Sequence, residues 1–360
     1  MDPLLIGLDG GATELKAHEV VPLFGGMYAL GERRASRAWA SDPRCAAFAP
    51  VPLDVQRSGA AALSAEERAA GDAWAELTVA ALVELARDAG VREIEVGACF
   101  PGLKTADRRG IRVLRNGPRV PDLAERIERG LRGAGLRLVA PLGALASDGH
   151  CCGIGEEHAT GGAFRGARDA YYLGGGTGLP EAFKLDGRVR SLDELVGVAR
   201  KAWELELAPG LSFEQELAPA RLNERWSRCA AQAQQRVFVE QAAEAGDADA
   251  IGLLARAGAV LAALCFERLT ALRAAPAPRT LERIVFGQRL GEILAGAGGA
   301  HALAAFFEHL AAMIEGAGDA ELARVWLTGG GLCSERIVLS RLRAAPALGA
   351  AVLAREHATT

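Results

Sequence analysis

The sequence predicts an α/β protein of two domains that face each other across a cleft. Three observations predict it. The chain has 360 residues, against about 100–200 per domain. Short apolar runs alternate with longer helical stretches. Both halves open with a strand that runs into a glycine–threonine turn. Half of the residues are hydrophobic, 24% are charged and the net charge is −4, which excludes a disordered chain and a strongly basic nucleic-acid binder.

In the first half, Leu4-Leu-Ile-Gly-Leu-Asp9 is an apolar run ending in an acid and then Gly-Gly-Ala-Thr, the pattern of a buried strand entering a tight turn. Extended stretches follow at Leu15 to Val21 and Met27 to Leu30, and the proline-bearing region Asp42 to Ser58 reads as a loop. Ser64 with Glu67 three residues on forms a capping box for a helix to about Gly90. A strand at Ile94 to Phe100, stopped by Pro101-Gly102, precedes a helix at Asp122 to Gly133 and a strand at Leu136 to Val139.

The second half repeats this style without repeating the residues. Ala170 to Leu173 runs into Gly174-Gly-Gly-Thr177-Gly178, and Ala182 to Leu185 returns as a hairpin. A helix-rich block covers about 191–275, and strands recur at Arg283 to Phe286 and Val325 to Thr328. The expected division is 1–145 and 146–360, the latter with a helical insertion at about 191–245. No stretch approaches about 18 uninterrupted apolar residues, so no membrane-spanning helix is expected. An acid at the second position and no basic n-region argue against a secretory signal. Seven scattered cysteines (Cys45, Cys99, Cys151, Cys152, Cys229, Cys265, Cys333) form no CxxC pair, so reduced structural thiols in a cytoplasmic protein are expected.

Four segments carry chemistry. In Asp9-Gly10-Gly11-Ala12-Thr13-Glu-Leu-Lys16, glycine lets backbone N–H groups approach phosphate oxygens and threonine adds a donor. Asp9 can hold the water shell of Mg²⁺; an ordinary Asp-Gly β-turn is the competing reading. Gly175-Gly176-Thr177-Gly178 offers the same chemistry in the second half, so two turns would clamp a polyphosphate. Neither is a Walker A loop or a Rossmann fingerprint. In Ser147-Asp148-Gly-His150, the aspartate can accept a proton from a substrate hydroxyl during phosphoryl transfer, although Ser-Asp-Gly is also a common N-cap. Gly329-Gly330-Gly331 would let an adenine ring lie against the backbone; Gly287-Gln288 competes, and 329–331 is favoured. Only four of the 41 basic residues are lysines, and two of them, Lys16 and Lys184, flank the two glycine turns.

In this order the four segments resemble the sugar kinases of the actin/hexokinase/Hsp70 superfamily, most closely the ROK family. The family's Asp-x-Gly-Gly-Thr-x-x-Lys is matched by Asp9, Gly11, Thr13 and Lys16, with Ala12 in place of a glycine. Its strand ending in Pro-Gly resembles Phe100-Pro101-Gly102, and its catalytic Asn-Asp pair is similar to Ser147-Asp148. Its second phosphate motif and hairpin resemble Gly176-Thr177-Gly178-Leu-Pro-Glu-Ala with Asp186-Gly187-Arg188. The resemblance implies two actin/ribonuclease-H-like domains, ATP and Mg²⁺, Asp148 as general base, and Gly102, Asn116 and Ser147 beside the sugar.

The family's Glu-x-Gly-His motif and zinc-binding cluster have no counterpart in Ser191-Leu-Asp-Glu-Leu-Val-Gly-Val-Ala-Arg200, so zinc is not expected. Plain glucose recognition is not expected either. The expected activity is phosphorylation of a hydroxyl on an unusual sugar or sugar-like cyclitol, such as a C7-cyclitol. The alternative is a catalytically weakened pseudokinase or a regulator on the same fold, although the first strand at about Leu4 leaves no room ahead of it for a DNA-binding module. Expected partners are a small sugar or cyclitol, with no nucleic acid and no membrane; the resemblance allows a homodimer.

Overall fold

The protein is described from a computed structural model, which covers residues 3–59, 61–228 and 237–358. The chain divides into two units, one of Met1–Thr160 with Ala344–Thr360 and the other of Gly161–Arg343. The expected boundary at 145 therefore moves to 160, and the chain returns to the first unit at its end.

The first unit is built on a five-stranded sheet in the order Tyr28–Ala38, Glu14–Pro22, Leu4–Gly10, Glu93–Cys99, Arg137–Leu138. The first three strands are antiparallel because tight turns join them. Glu93–Cys99 runs parallel to Leu4–Gly10 because the helix Ala65–Asp88 carries the chain back across the sheet. Ser64 caps that helix, its Oγ accepting from the Glu67 amide at 3.1 Å. Strand Leu4–Gly10 is apolar up to Asp9 because both faces are covered: Leu5, Ile6 and Leu8 are all buried.

The helix Ala345–Ala358 belongs here for a steric reason. A Cβ at Gly7 would stand 1.8 Å from the Ala347 carbonyl oxygen, and one at Gly97 would stand 1.9 Å from that of Ala350. A Cβ at Gly349 would meet the Cys151 carbonyl oxygen at 1.9 Å, on the helix Asp148–His158. Glycines thus let the helix Ala345–Ala358 lie directly on the sheet and the helix Asp148–His158 lie directly on that helix.

The second unit repeats the plan: Arg188–Arg190, Glu181–Leu185, Ala170–Leu173, Arg283–Phe286, Ile337–Leu339, again antiparallel then parallel. The repetition in pattern is therefore a repetition of topology. The 26-residue helix Ala248–Arg273 makes the crossover and is long and apolar enough to span a bilayer, which the sequence reading did not anticipate. It packs against Ala300–Ala317 inside the unit, with Leu254, Leu261, Leu264 and Leu269 in the core.

Three local expectations are corrected. The region 42–58 holds short helices at Pro43–Ala46 and Leu53–Ser58, the first started by the Asp42 carboxylate and a proline in its first turn. The block from 191 is not helical throughout: Glu206–Ala208 and Leu211–Ser212 form a hairpin around Gly210, whose φ of 75° suits glycine alone. Residues 229–236 of that block lie outside the described residues. Val325 and Trp326 end the helix Ala320–Trp326, leaving only Leu327–Thr328 as strand. Cys229 also lies outside the described residues; the other six cysteines are free thiols.

Candidate active site

Parallel pairing brings the first unit's acids to one edge of its sheet. Asp9 is opposite Cys99 in the ladder, and Cys99 bridges to Ala146 on the next segment. Two residues later Asp148 begins the helix Asp148–His158. Both aspartates are half-buried. Burial and then the Asp148 charge push the Asp9 carboxyl up to about 7, opposed by Lys16 and by the Cys99 thiol, which donates to Asp9 Oδ1 at 3.8 Å. Cys99 is itself held well above the usual thiol range by its hydrogen bond with Cys151 and by burial.

Asp148 Oδ1 accepts from the Gly149 amide at 2.9 Å, and its carboxylate sits at the positive end of the helix. Ser147 is the N-cap, its Oγ accepting from the His150 amide at 3.3 Å. The N-cap is therefore Ser147, and the Asp148 carboxylate beside it is not used as the cap.

In the first turn, Gly10 is obligatory because a Cβ would lie 2.1 Å from the Phe100 ring. The carbonyls of Gly11 and Thr13 both accept from Trp39, one from its indole at 2.8 Å and one from its backbone amide at 3.0 Å. Among the described residues the amides of Gly11, Ala12 and Thr13 have no protein acceptor. Ala12 is not in the left-handed region, so the backbone does not require the family's glycine there. Lys16, opposite Asp9 on the returning strand, pairs with Glu14 at 2.8 Å and is exposed.

The acceptor-side residues lie in the same unit. Gly102 has φ 85° and a Cβ there would strike the Val113 carbonyl oxygen at 2.3 Å, so its role in the fold is a turn. That turn leads into Leu103–Lys104, paired with Ile111–Val113, and Asn116 is exposed on the turn that follows. Lys104 Nζ donates to the carbonyls of Phe100 and Gly102 at 2.6 and 2.9 Å, fixing the Pro-Gly corner.

In the second unit, the Gly174 amide donates to the Pro180 carbonyl at 2.8 Å and the Gly176 amide to the Gly178 carbonyl at 3.0 Å. The Leu179 amide donates to Glu214 at 3.1 Å. Among the described residues the amides of Gly175, Thr177 and Gly178 have no protein acceptor. Pro180 and Glu181, departures from the family pattern, close and anchor this loop. Buried Glu181 accepts from Tyr171 at 2.6 Å, from Arg268 at 2.6 and 3.0 Å, and from the Ala202 amide at 2.7 Å.

Two expectations do not survive this geometry. Gly329 and Gly330, with φ of 57° and 83°, make the tip of a small hairpin, Leu327–Thr328 with Gly331–Leu332. The hairpin leads to Arg336, which donates to the Glu282 carbonyl at the opening edge of the sheet. Gly287 and Gln288 instead adjoin the second turn: the Gly287 amide donates to the Leu173 carbonyl at 3.0 Å and the Arg289 amide to Gly175 at 2.9 Å. Gln288 has φ 51°, a strained conformation for a residue with a side chain, at the start of the helix Gln288–Ala295. Lys184 is also remote from the turn. It pairs with Ala170 at the start of the strand and is buried, Nζ donating to the Phe164 carbonyl at 3.1 Å.

Sequence reasoning missed Trp39, Cys99 and Glu214, and no local pattern marks them. They reach their turns from distant segments.

No family model matches the chain, and no curated protein matches it. Solved structures do. The ROK hexokinase from Thermus thermophilus matches at a TM-score of 0.60 and 21% identity, covering 99% of each chain. A ROK family glucokinase from Streptomyces griseus, in complex with glucose and AMPPNP, matches at 0.58 and 17%, covering 98% of this chain and 99% of that one. A ROK family transcriptional regulator, a homologue of the E. coli MLC protein, matches at 0.55 and 12%, covering 98% of this chain and 78% of that one. The two α/β units, each with its turn of unused amides, carry the fold of the ROK-family sugar kinases.

Proposed function

We propose that the protein is an ATP-dependent kinase that phosphorylates a hydroxyl of a sugar or sugar-like cyclitol. The observation that carries this reading is the convergence of Asp9 and Asp148 at one sheet edge, beside a turn whose amides are unused. Asp148 accepts the proton of the acceptor hydroxyl as that oxygen attacks the γ-phosphorus. Asp148 begins its helix, and the Gly149 amide holds its orientation. Asn116 binds an acceptor hydroxyl. The amides of residues 11–13 and of 175, 177 and 178 receive phosphate oxygens, and Gly287-Gln288, beside the second turn, replaces 329–331 as the nucleoside contact.

A divalent cation fits at Asp9: a hard carboxylate ligand, already disfavoured as an anion by Asp148, gains from a nearby positive charge. Asp9 would hold Mg²⁺ through water, and the ion would supply charge neutralisation of the phosphates. The absence of the family's Glu-x-Gly-His motif from 191–200 supports an acceptor other than plain glucose.

The test is phosphoryl transfer from Mg-ATP across a panel of sugars and C7-cyclitols, with Asp148→Asn beside the wild type. We expect the variant to bind Mg-ATP normally and to lose about 100-fold or more in kcat. Full activity in the variant overturns the base assignment. Sugar binding without any transfer would favour the regulator or pseudokinase reading.

A further inference from the structure

Trp39 joins the first turn to the acceptor side of the same unit. Its indole stacks on that of Trp74, ring centroids 4.2 Å apart and planes 12° from parallel. The far edge of Trp74 lies beneath Gly117, where a Cβ would stand 2.7 Å from Cζ2 and 2.9 Å from Cη2. Gly117 follows Asn116 directly and is buried. At the other end, Trp39 holds the carbonyls of Gly11 and Thr13. A trans peptide points C=O and N–H in opposite directions. Fixing the Gly11 carbonyl toward Trp39 therefore aims the Ala12 amide the other way, out of the protein's own hydrogen bonding.

Burial alone does not demand this bond. The buried indole nitrogens of Trp226 and Trp326 have no partner among the described residues. The Trp39 indole instead donates to a turn whose own amides are left open.

We propose that the Trp39–Trp74 stack is a strut. It sets the orientation of the first phosphate turn and couples that turn to the Asn116 segment, so a disturbance at one end is felt at the other. Trp39 and Trp74 are positioning residues, and their catalytic meaning rests on the kinase reading above.

The experiment uses Trp39→Phe, which keeps a ring against Trp74 but removes the indole donor, and Gly117→Ala, which pushes on the stack from the acceptor end. Amide hydrogen exchange of the ligand-free protein and calorimetric titration with Mg-ATP are the readouts, with near-UV circular dichroism reporting the stacked indoles. Both variants should exchange faster at the residue-39 amide, which donates to the Thr13 carbonyl, while the strand Glu93–Cys99 keeps its protection. Trp39→Phe should weaken Mg-ATP binding about fivefold, the scale of one lost hydrogen bond. Gly117→Ala should also weaken Mg-ATP binding, and this effect should shrink in the Trp39→Phe background because the two act through one connection. Unchanged exchange at the residue-39 amide in both folded variants overturns the strut. A wild type that binds no Mg-ATP, with the exchange changes present, overturns the kinase reading and leaves the strut standing.

Discussion

Asp9 shows how a functional residue opposes stability. Its carboxyl is raised to about 7, first by burial and then by Asp148. The folded protein therefore binds this proton more tightly than the unfolded chain, whose Asp value is near 3.8. The resulting stabilisation is fully present below about 3.8 and is lost as pH rises through about 7. Without Mg²⁺ or nucleotide, Asp9→Asn should thus melt at a higher temperature than wild type at pH 8, and the gap should narrow toward pH 5. Thermal melts across that range check this, and an Asp9→Asn protein less stable at pH 8 contradicts it. Added Mg²⁺ should stabilise the wild type at pH 8 and leave the variant unchanged. Asp9 and Asp148 were both legible in the sequence, since each is an acid beside a glycine after an apolar run. Cys99 was not, because its link to Asp9 passes through ladder register across 90 residues.

At the scale of elements, the hairpin after the second glycine turn stands on a buried ion pair. Glu181 on the returning strand and Arg268 on the helix Ala248–Arg273 are both buried, and Tyr171 and the Ala202 amide complete the acceptor's shell. Removing one charge strands the other in the core, a loss of about 3–5 kcal/mol, whereas replacing both with apolar groups of similar size restores much of it. Arg268→Met should show that loss in denaturant melts, and Glu181→Met with Arg268→Met should recover at least half of it. A single variant as stable as wild type contradicts the arrangement. The strands themselves were readable from apolar runs and glycine punctuation. The opening of the 191–275 block was not, because a hairpin of Glu206–Ala208 with Leu211–Ser212 carries no strong alternation. Helix Ala248–Arg273 illustrates the same limit from the other side: it is apolar enough for a membrane, yet it has a buried arginine and a core to pack against.

Across the molecule, the first unit is discontinuous in sequence, and its last helix is part of its core. Gly7 and Gly97 of the sheet lie directly against Ala347 and Ala350. A chain ending at Arg343 should therefore lose hydrogen-exchange protection over Leu4–Gly10 and keep it over Arg283–Phe286. Retained protection in the first strand contradicts this account of the packing. The sequence by itself determined the α/β class, the repeated strand–turn openings, both glycine turns and both aspartates at their places in the chain. These are local signals: a run of apolar side chains, a glycine that admits a backbone, an acid at a strand end. Only the tertiary structure decided that the closing helix returns to the first unit and that Gly287-Gln288, not Gly329–Gly331, adjoins the second turn. The same is true of Trp39, which donates to the Gly11 and Thr13 carbonyls of the first turn. Each of these depends on which distant segments become neighbours, and that is set by sheet order and close helix packing, which no local pattern encodes.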